Sequence, residues 1–364
     1  MATRRLLMTT DAVGGVWRYV VTLAGALAQR GWEVRLAVLG PPPDDRQSKE
    51  ADRLEGVSIV AADLPLDWGG AGRQDMEAAG AALVEIARSE GCDVVQLNTP
   101  LLAAAARWSM PVIGVMHGCI STWWGKARAG QLDPSLAWHR EMTLEGLAAC
   151  DRLIAPSLAF ADDLAGTYAI NRPIEVVYNG SSPHLSWEPE SADPFAFTAG
   201  RLWDEVKNTP LLDAVAARLE VPFLAAGSNR GPQGQHADAR YLRLLGHVSE
   251  ESVRARLARR PVFVSAALFE PFGLAVLEAA QAGCPLVLSD IRTFRELWGG
   301  AAVFVDPHDA SGFVEAIETL LHDRDLRHRL GTAARCRATD YSVRAMTDAM
   351  IGHYEDMLRE CQPA

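Results

Sequence analysis

Short apolar runs of strand length alternate with segments of helical period along most of the chain, break at one polar, proline-rich stretch, SSPHLSWEPESADP at 181–194, and then resume. That rhythm constrains the fold more than any other feature. A strand, a crossover helix and a second strand build a parallel sheet covered by helices, and repeating the unit leaves little room for a β-sandwich. Residues 4–9 read as a strand, Gly14 and Gly15 as a turn, 16–29 as a helix with Val16, Val20, Leu23 and Leu27 on one face, and 33–39 as the next strand. Further strands are expected at 57–60, 94–97, 112–116, 151–155 and 174–180, with helices at 73–89, 134–149 and from a Ser157 cap to 168, while PPPDDRQSKE at 41–50 reads as a loop. After the break, strands at 195–200, 222–227, 241–246, 262–265, 285–289 and 302–305 alternate with helices at 209–218, 249–258 and 273–282. Helices at 309–321, 323–339 and 342–359 close the chain.

The expectation is an α/β protein of two halves, 1–180 and 181–341, each with its own sheet, and a last amphipathic helix beyond the second. A chain of 364 residues exceeds the size at which one core usually stops growing, so two domains are also the default on length. In two open α/β sheets the usual ligand site is the crevice at the strand C-terminal ends.

Charge narrows the partners. With 35 basic and 46 acidic side chains the net charge is −11, which disfavours nucleic acid and electrostatic docking on anionic lipid, while a local peripheral membrane contact stays open. The six cysteines, at 92, 119, 150, 284, 336 and 361, form no CxxC pair and read as free thiols of a reducing, cytoplasmic setting. The start MATRRLLMTTDAV has only a three-residue apolar run, too short for a signal-peptide core, and no stretch reaches the roughly 18 apolar residues that span a membrane.

Two blocks in the second half carry chemistry. GRLWDEVKN at 200–208 follows a strand, and its Arg201 and Lys207 can converge on one anion, Arg as a planar fork and Lys as a point charge, the pair expected around a diphosphate. Two solvated surface cations is the plain alternative. FEPFGLAVLEAAQAGCPLVLSD at 269–290 holds Glu270 and Glu278 among apolar and small residues. Pro271 and Gly273 shape a turn into a helix whose first amides, at Phe272, Gly273 and Leu274, suit an anion. Carboxylates are acceptors only and suit sugar hydroxyls, so Glu278 fits a vicinal diol and Glu270 another part of the ligand; capping and a structural ion pair are the alternatives.

In the first half, TDAVGGV at 10–16 repeats the strand, glycine turn and helix start without the GxGxxG spacing of a dinucleotide site, which disfavours a nicotinamide oxidoreductase. His117 ends a buried strand, where a ligand-facing residue belongs, although a lone histidine is often structural. Trp123 and Trp124 fit an acceptor pocket or plain packing. Metal signatures are missing from the sequence: no HExxH, no CxxC, and the DRD triplet at 323–325 lies between two helices as caps. GSS at 180–182 is not a GxSxG nucleophile elbow.

Four blocks together, DAVGGV at 11–16, VYNG at 177–180, GRLWDEVKN and EPFGLAVLE with its E-x7-E spacing, resemble the retaining, nucleotide-sugar-dependent glycosyltransferases of family 4, over essentially the whole chain. The resemblance implies the GT-B fold: two Rossmann-like parallel-sheet domains facing across a cleft, an acceptor-side domain at 1–180 joined by a crossover helix at 342–364, and a donor domain at 181–341. It implies transfer of a sugar from a nucleotide-diphosphate sugar to a saccharide, lipid-linked or small-molecule acceptor, in polysaccharide biosynthesis or a related route, with no metal and no tightly bound cofactor. Arg201 and Lys207 then neutralise the donor diphosphate, Glu270 binds the transferred sugar, Glu278 the ribose, and the amides from Phe272 to Leu274 the phosphate or sugar. His117 lies near the donor sugar, Gly14 and Gly15 allow close approach to the donor phosphates, and the backbone around Gly246, His247 and Val248 meets the base. The same resemblance implies domain closure before transfer. The strand at 260–264, RPVFV, and the HisGlyCys after 116 depart from the family's usual wording. A nucleotide-sugar 2-epimerase of the same fold and a non-catalytic nucleotide-sugar-binding protein remain as alternatives.

Overall fold

In the computed structural model the described residues are 3–105, 107–128, 130–182 and 194–361, so most of the 181–194 stretch expected as the boundary lies outside them. The chain opens with β1 (Arg4–Asp11), α1 (Gly15–Ala28), β2 (Trp32–Leu39), α2 (Asp45–Asp52), β3 (Val57–Leu64), α3 (Arg73–Ser89), β4 (Val94–Leu97) and β5 (Val112–Val115). Next come α4 (Ile120–Ala127), α5 (Ala137–Ala149), β6 (Arg152–Ala155), α6 (Leu158–Tyr168) and β7 (Glu175–Val176). These strands form one parallel sheet in the order β3-β2-β1-β4-β5-β6-β7.

The second series is β8 (Ala196–Ala199), α7 (Thr209–Ala216), β9 (Phe223–Ala226), β10 (Arg243–Gly246), α8 (Glu250–Ala258), β11 (Val262–Ser265), α9 (Leu274–Gln281), β12 (Leu286–Ser289), α10 (Arg292–Trp298) and β13 (Ala302–Val305). Helices α11 (Ala310–His322), α12 (Arg324–Ala338) and α13 (Val343–Glu360) complete it. Its six strands pair in parallel as β10-β9-β8-β11-β12-β13. Both sheets are parallel and alternate with helices, as expected from the sequence. Each has a point where strand order reverses, between β1 and β4 in one and between β8 and β11 in the other, and it is there that such sheets bind ligands.

By contacts, Met1–Gly125, Ala129–Gly180 and Val343–Ala364 form one unit and Lys126–Arg128 with Ser181–Ser342 the other. Helix α13 therefore belongs with the first sheet although it follows the second in sequence. The cause is apolar: Met346, Met350, Tyr354, Met357 and Leu358 are buried in the first core beside Tyr19, Val20, Leu23 and Leu27 of α1. Burying each such large side chain is worth about 1.5–3 kcal/mol of transfer free energy. Ion pairs Arg30–Asp348 at 2.6 Å and Arg152–Glu360 at 2.7 Å rim the helix; being exposed, they add little. In the second unit Phe223, Val262, Val264, Val287, Phe313 and Ile317 fill the space between sheet and helices.

Three local differences from the sequence expectation have identifiable causes. The 41–50 loop contains the start of α2, because Asp44 and Gln47 form a reciprocal capping box, with Gln47 N–H donating to Asp44 Oδ1 at 2.7 Å and Asp44 N–H to Gln47 Oε1 at 3.0 Å. Only Gln47 and Ala51 are buried there, so no apolar stripe announces the helix. The strand at 241–246 begins at Arg243, since the amides of Arg240, Tyr241 and Leu242 all donate to the Asp213 carboxylate, at 2.9, 2.7 and 2.8 Å, rather than to a neighbouring strand. The strand at 174–180 shrinks to Glu175–Val176, an edge paired only with β6.

Candidate active site

In the second unit the site is built on the ends of β8 and β11. Gly200 N–H donates to Ala226 O at 3.0 Å and Gly227 N–H to Gly246 O at 2.9 Å, so the exits of β8, β9 and β10 are laced together. Gly227 has φ +126°, and a Cβ on it would lie 1.8 Å from Gly200 O; only glycine fits. The chain leaving β8 then makes a short 3-10 turn, Glu205–Lys207, with Asp204 as its cap. Buried Asp204 also accepts a hydrogen bond from Arg201 at 2.8 Å, and the Arg201 guanidinium lies 5.6 Å from the Trp203 ring centroid. Arg201 is thus held on two sides yet stays 42% exposed.

Lys207 points to the other strand end. Its Nζ donates to Glu270 Oε2 at 2.5 Å, and Leu268 N–H donates to Val206 O at 2.8 Å, tying the segment after β11 to the turn after β8. With side chains only 22% and 17% exposed, the pair is largely withdrawn from water. Two residues 63 apart in sequence meet at the point where the strand order reverses.

Beyond Glu270 the chain turns through Gly273 at φ +91°, ψ 66°, the cap of α9. A Cβ there would come within 3.2 Å of both Glu270 Cγ and a Phe294 ring carbon, so glycine serves both the left-handed backbone and the close approach. Val276 and Leu277 N–H donate to Gly273 O at 3.0 and 3.1 Å; the amides of Gly273, Leu274 and Ala275 precede any carbonyl of their own helix, as at every helix start. Phe272 is buried edge-on against Tyr341, ring centroids 5.6 Å apart. Glu278 stands half-buried at the start of the second turn of α9. At the β10 exit, Gly246 takes φ +68°, His247 is exposed and Val248 partly buried, directly before α8.

The first unit places its expected residues at its own strand-order reversal. Gly14 caps α1 in extended backbone, and the Val13 and Gly14 amides donate to Asp11 Oδ1 at 2.8 and 3.1 Å. Gly15 opens the helix and is exposed. His117, just past β5, packs against Tyr19 with ring centroids 4.3 Å apart and shares a 3.0 Å hydrogen bond between its Nε2 and Asn98 Oδ1. Burial pushes its pKa down from the ordinary 6.5 to about 3, so the ring is neutral near pH 7.

Sequence reasoning passed over the residues behind His117: Thr9, Gln96, Asn98 and Tyr354, all buried. The signal available was a glutamine inside the otherwise apolar strand VVQL, since a fully buried amide needs partners. It also passed over Asp204 and Gly227.

Trp123 and Trp124 lie on α4, partly buried and edge to face at 6.5 Å, with Trp124 Nε1 donating to Gln131 O at 3.0 Å. Asp323 caps α12, accepting from Leu326 N–H at 2.8 Å, so the first carboxylate of the DRD triplet is spent on helix capping and Asp325 lies in the first turn. Among the described residues no group of three or more His, Cys, Asp or Glu side chains is placed to hold a metal ion, and no helix is long and apolar enough to cross a membrane. The six cysteines are free, and burial raises the thiol pKa of Cys92 to about 11 and of Cys150 to about 12.

Comparison with known proteins gives the family and the fold. Residues 13–184 match the family described as Glycosyltransferase Family 4, and residues 188–337 match Glycosyl transferases group 1. The chain is 31% identical to the lipopolysaccharide core biosynthesis glycosyltransferase LpsE of Rhizobium meliloti, covering 93% of this chain and 95% of that protein. It is 27% identical to a glycogen synthase of Mycobacterium tuberculosis, covering 93% and 91%. Among solved structures, HepE of Anabaena in complex with UDP-glucose superposes with a TM-score of 0.75 at 16% identity, over 97% of this chain and 99% of that one, a likeness of fold.

Proposed function

Because the chain belongs to the glycosyltransferases of family 4, with two Rossmann-like parallel-sheet domains, we propose that it moves a hexosyl group from a nucleoside-diphosphate sugar to a hydroxyl acceptor with retention of the anomeric configuration and without a metal ion. Acting on a nucleotide-sugar donor is the part common to the family; retention, metal independence and the site roles below are this reading's own. The observation that carries it is the Lys207–Glu270 pair beside Arg201 where the second sheet's strand order reverses.

A diphosphate leaving group needs positive charge fixed in advance where negative charge develops. In this reading Lys207 and Arg201 supply it, together with the amides of Gly273 and Leu274 at the start of α9. Glu270, released from Lys207 when the diphosphate takes its place, accepts hydrogen bonds from the hydroxyls of the transferred sugar. Glu278 accepts from the ribose hydroxyls, and the backbone at Gly246–Val248 meets the base. Phe272 contributes its position before the cap rather than its ring, which is buried against Tyr341. In the first unit His117, Gly14 and Gly15 are read as residues that face the donor.

The bond from the anomeric carbon to the diphosphate oxygen breaks, the acceptor oxygen forms the new bond on the same face, and the acceptor's proton passes to an oxygen of the departing phosphate. No side chain is needed as a nucleophile, because the departing phosphate takes the acceptor's proton and Glu270 is occupied by the hydroxyls of the transferred sugar. The first unit then takes the acceptor, a saccharide, lipid-linked or small-molecule hydroxyl compound. Six free cysteines are consistent with a reducing, cytoplasmic setting.

The test is incubation of the purified chain with UDP-, GDP- and ADP-sugars, with and without oligosaccharide and lipid-extract acceptors. Release of nucleoside diphosphate with one base class, and a glycosylated acceptor, is expected. Conversion of the donor to its 2-epimer with no acceptor glycosylated contradicts the reading.

A further inference from the structure

The side chains behind His117 form one hydrogen-bonded chain whose direction is fixed at a single atom. The Thr9 main-chain carbonyl can only accept, and an Asn98 side-chain atom lies 2.6 Å from it; that atom must be the amide nitrogen. The Asn98 oxygen therefore faces the other way, 3.0 Å from the Gln96 amide and 3.0 Å from His117 Nε2. Because this oxygen has no proton to give, both neighbours must donate to it. Gln96 presents its NH2 to Asn98 and to the Tyr19 hydroxyl at 3.3 Å, and its own oxygen accepts from the Tyr354 hydroxyl. A second bond, from Asn98 N–H to Thr9 Oγ1 at 2.8 Å, pins the residue that sets the direction.

We propose that Thr9, Asn98, Gln96 and Tyr354 are positioning residues that hold His117 as the Nε2–H tautomer and thereby present its bare Nδ1 as an acceptor for a hydroxyl of the sugar substrate. A neutral imidazole carries one N–H, so a donating Nε2 leaves Nδ1 with a lone pair. Among the described residues Nδ1 has no hydrogen-bond partner of its own, and the Tyr19 ring against one face restrains the imidazole from turning. The depression of the His117 pKa by burial removes the alternative of an imidazolium donating from both nitrogens.

Four elements converge on this arrangement: β1 through Thr9, β4 through Gln96 with Asn98 just beyond its end, α1 through Tyr19, and α13 through Tyr354. The last helix thus does more than cover the core. It ends the hydrogen-bonded chain that orients His117, which gives a chemical reason for an amide inside the apolar strand VVQL. The inference rests on the transferase reading for the identity of the hydroxyl, and not for the tautomer.

The tautomer can be read without substrate. In protein labelled with 15N-histidine, the ring signals that vanish in His117→Gln belong to His117. A protonated, pyrrole-type Nε2 and an unprotonated, pyridine-type Nδ1 are expected at pH 7; an Nδ1–H ring or an even mixture of the two forms overturns the proposal. In Asn98→Ala the preference for Nε2–H is expected to disappear and kcat for donor turnover to fall about tenfold or more, while calorimetric binding of nucleoside diphosphate stays within about twofold. Retention of both the tautomer and kcat in Asn98→Ala refutes the positioning role. Absence of turnover with every nucleotide sugar counts against the transferase reading alone, and a wrong tautomer counts against this inference alone.

Discussion

Replacing Lys207 with Met separates what the Lys207–Glu270 pair does for stability from what it does for catalysis. The carboxylate partner is 17% exposed and bonded at 2.5 Å, so Lys207→Met leaves a largely buried charge without its cation. The cost expected for such an unpaired group is about 1–3 kcal/mol, below the 3–5 kcal/mol scale of a fully buried pair because water still reaches the site. Adding Glu270→Gln removes the orphaned charge, and the double variant should recover to within about 1 kcal/mol of the parent. Catalysis should behave otherwise. Loss of one preorganised donor to a developing negative charge costs about 2–4 kcal/mol of transition-state stabilisation, or roughly 30- to 1,000-fold in kcat/KM, and neutralising Glu270 returns none of it. Urea midpoints followed by tryptophan fluorescence give the first quantity, and coupled detection of nucleoside diphosphate release gives the second. If Lys207→Met turns over at a near-normal rate, or if the double variant regains kcat/KM along with stability, Lys207 acts only as a structural counterion and the donor-site reasoning fails.

Two further outcomes follow from single positions. Gly227→Ala must clear a 1.8 Å clash with the Gly200 carbonyl from a φ of +126°, so a loss on the order of 3 kcal/mol or failure to fold is expected, and a urea midpoint unchanged within error would contradict the close strand-exit packing. His117 makes stability fall with acid: its folded pKa of about 3 lies below the ordinary 6.5, so between those values the unfolded chain binds a proton that the folded chain refuses. At pH 5 that linkage amounts to about 2 kcal/mol relative to pH 8, and the pH 5 to pH 8 difference in unfolding free energy should shrink by that amount in His117→Gln.

The alternation of apolar runs with helical segments made both parallel sheets legible, because buried strands are continuous apolar runs and their cover helices carry one apolar face. What escaped notice was held by side chains rather than by pattern. The capping box of Asp44 and Gln47 makes a helix with no apolar stripe, and the Asp213 carboxylate draws three amides away from a strand that the residue types alone would begin at Tyr241. The same division runs through the site. Arg201, Lys207, Glu270 and Gly273 stand in local motifs whose residue types are enough to raise the expectation of an anion and a sugar. Their convergence on one strand-order reversal, and the Lys207–Glu270 contact across 63 residues, depend on sheet topology. The network from Thr9 to Tyr354 is scattered over the length of the chain, and only the lone Gln96 in VVQL hinted at it.

Transfer from a nucleoside-diphosphate sugar with retention is checked by proton NMR of the first product formed from an α-linked donor such as UDP-glucose, or from whichever base class the chain turns over. A new glycosidic bond with α configuration is expected to appear in step with free nucleoside diphosphate. A β-configured product contradicts the same-face attack assigned to this site.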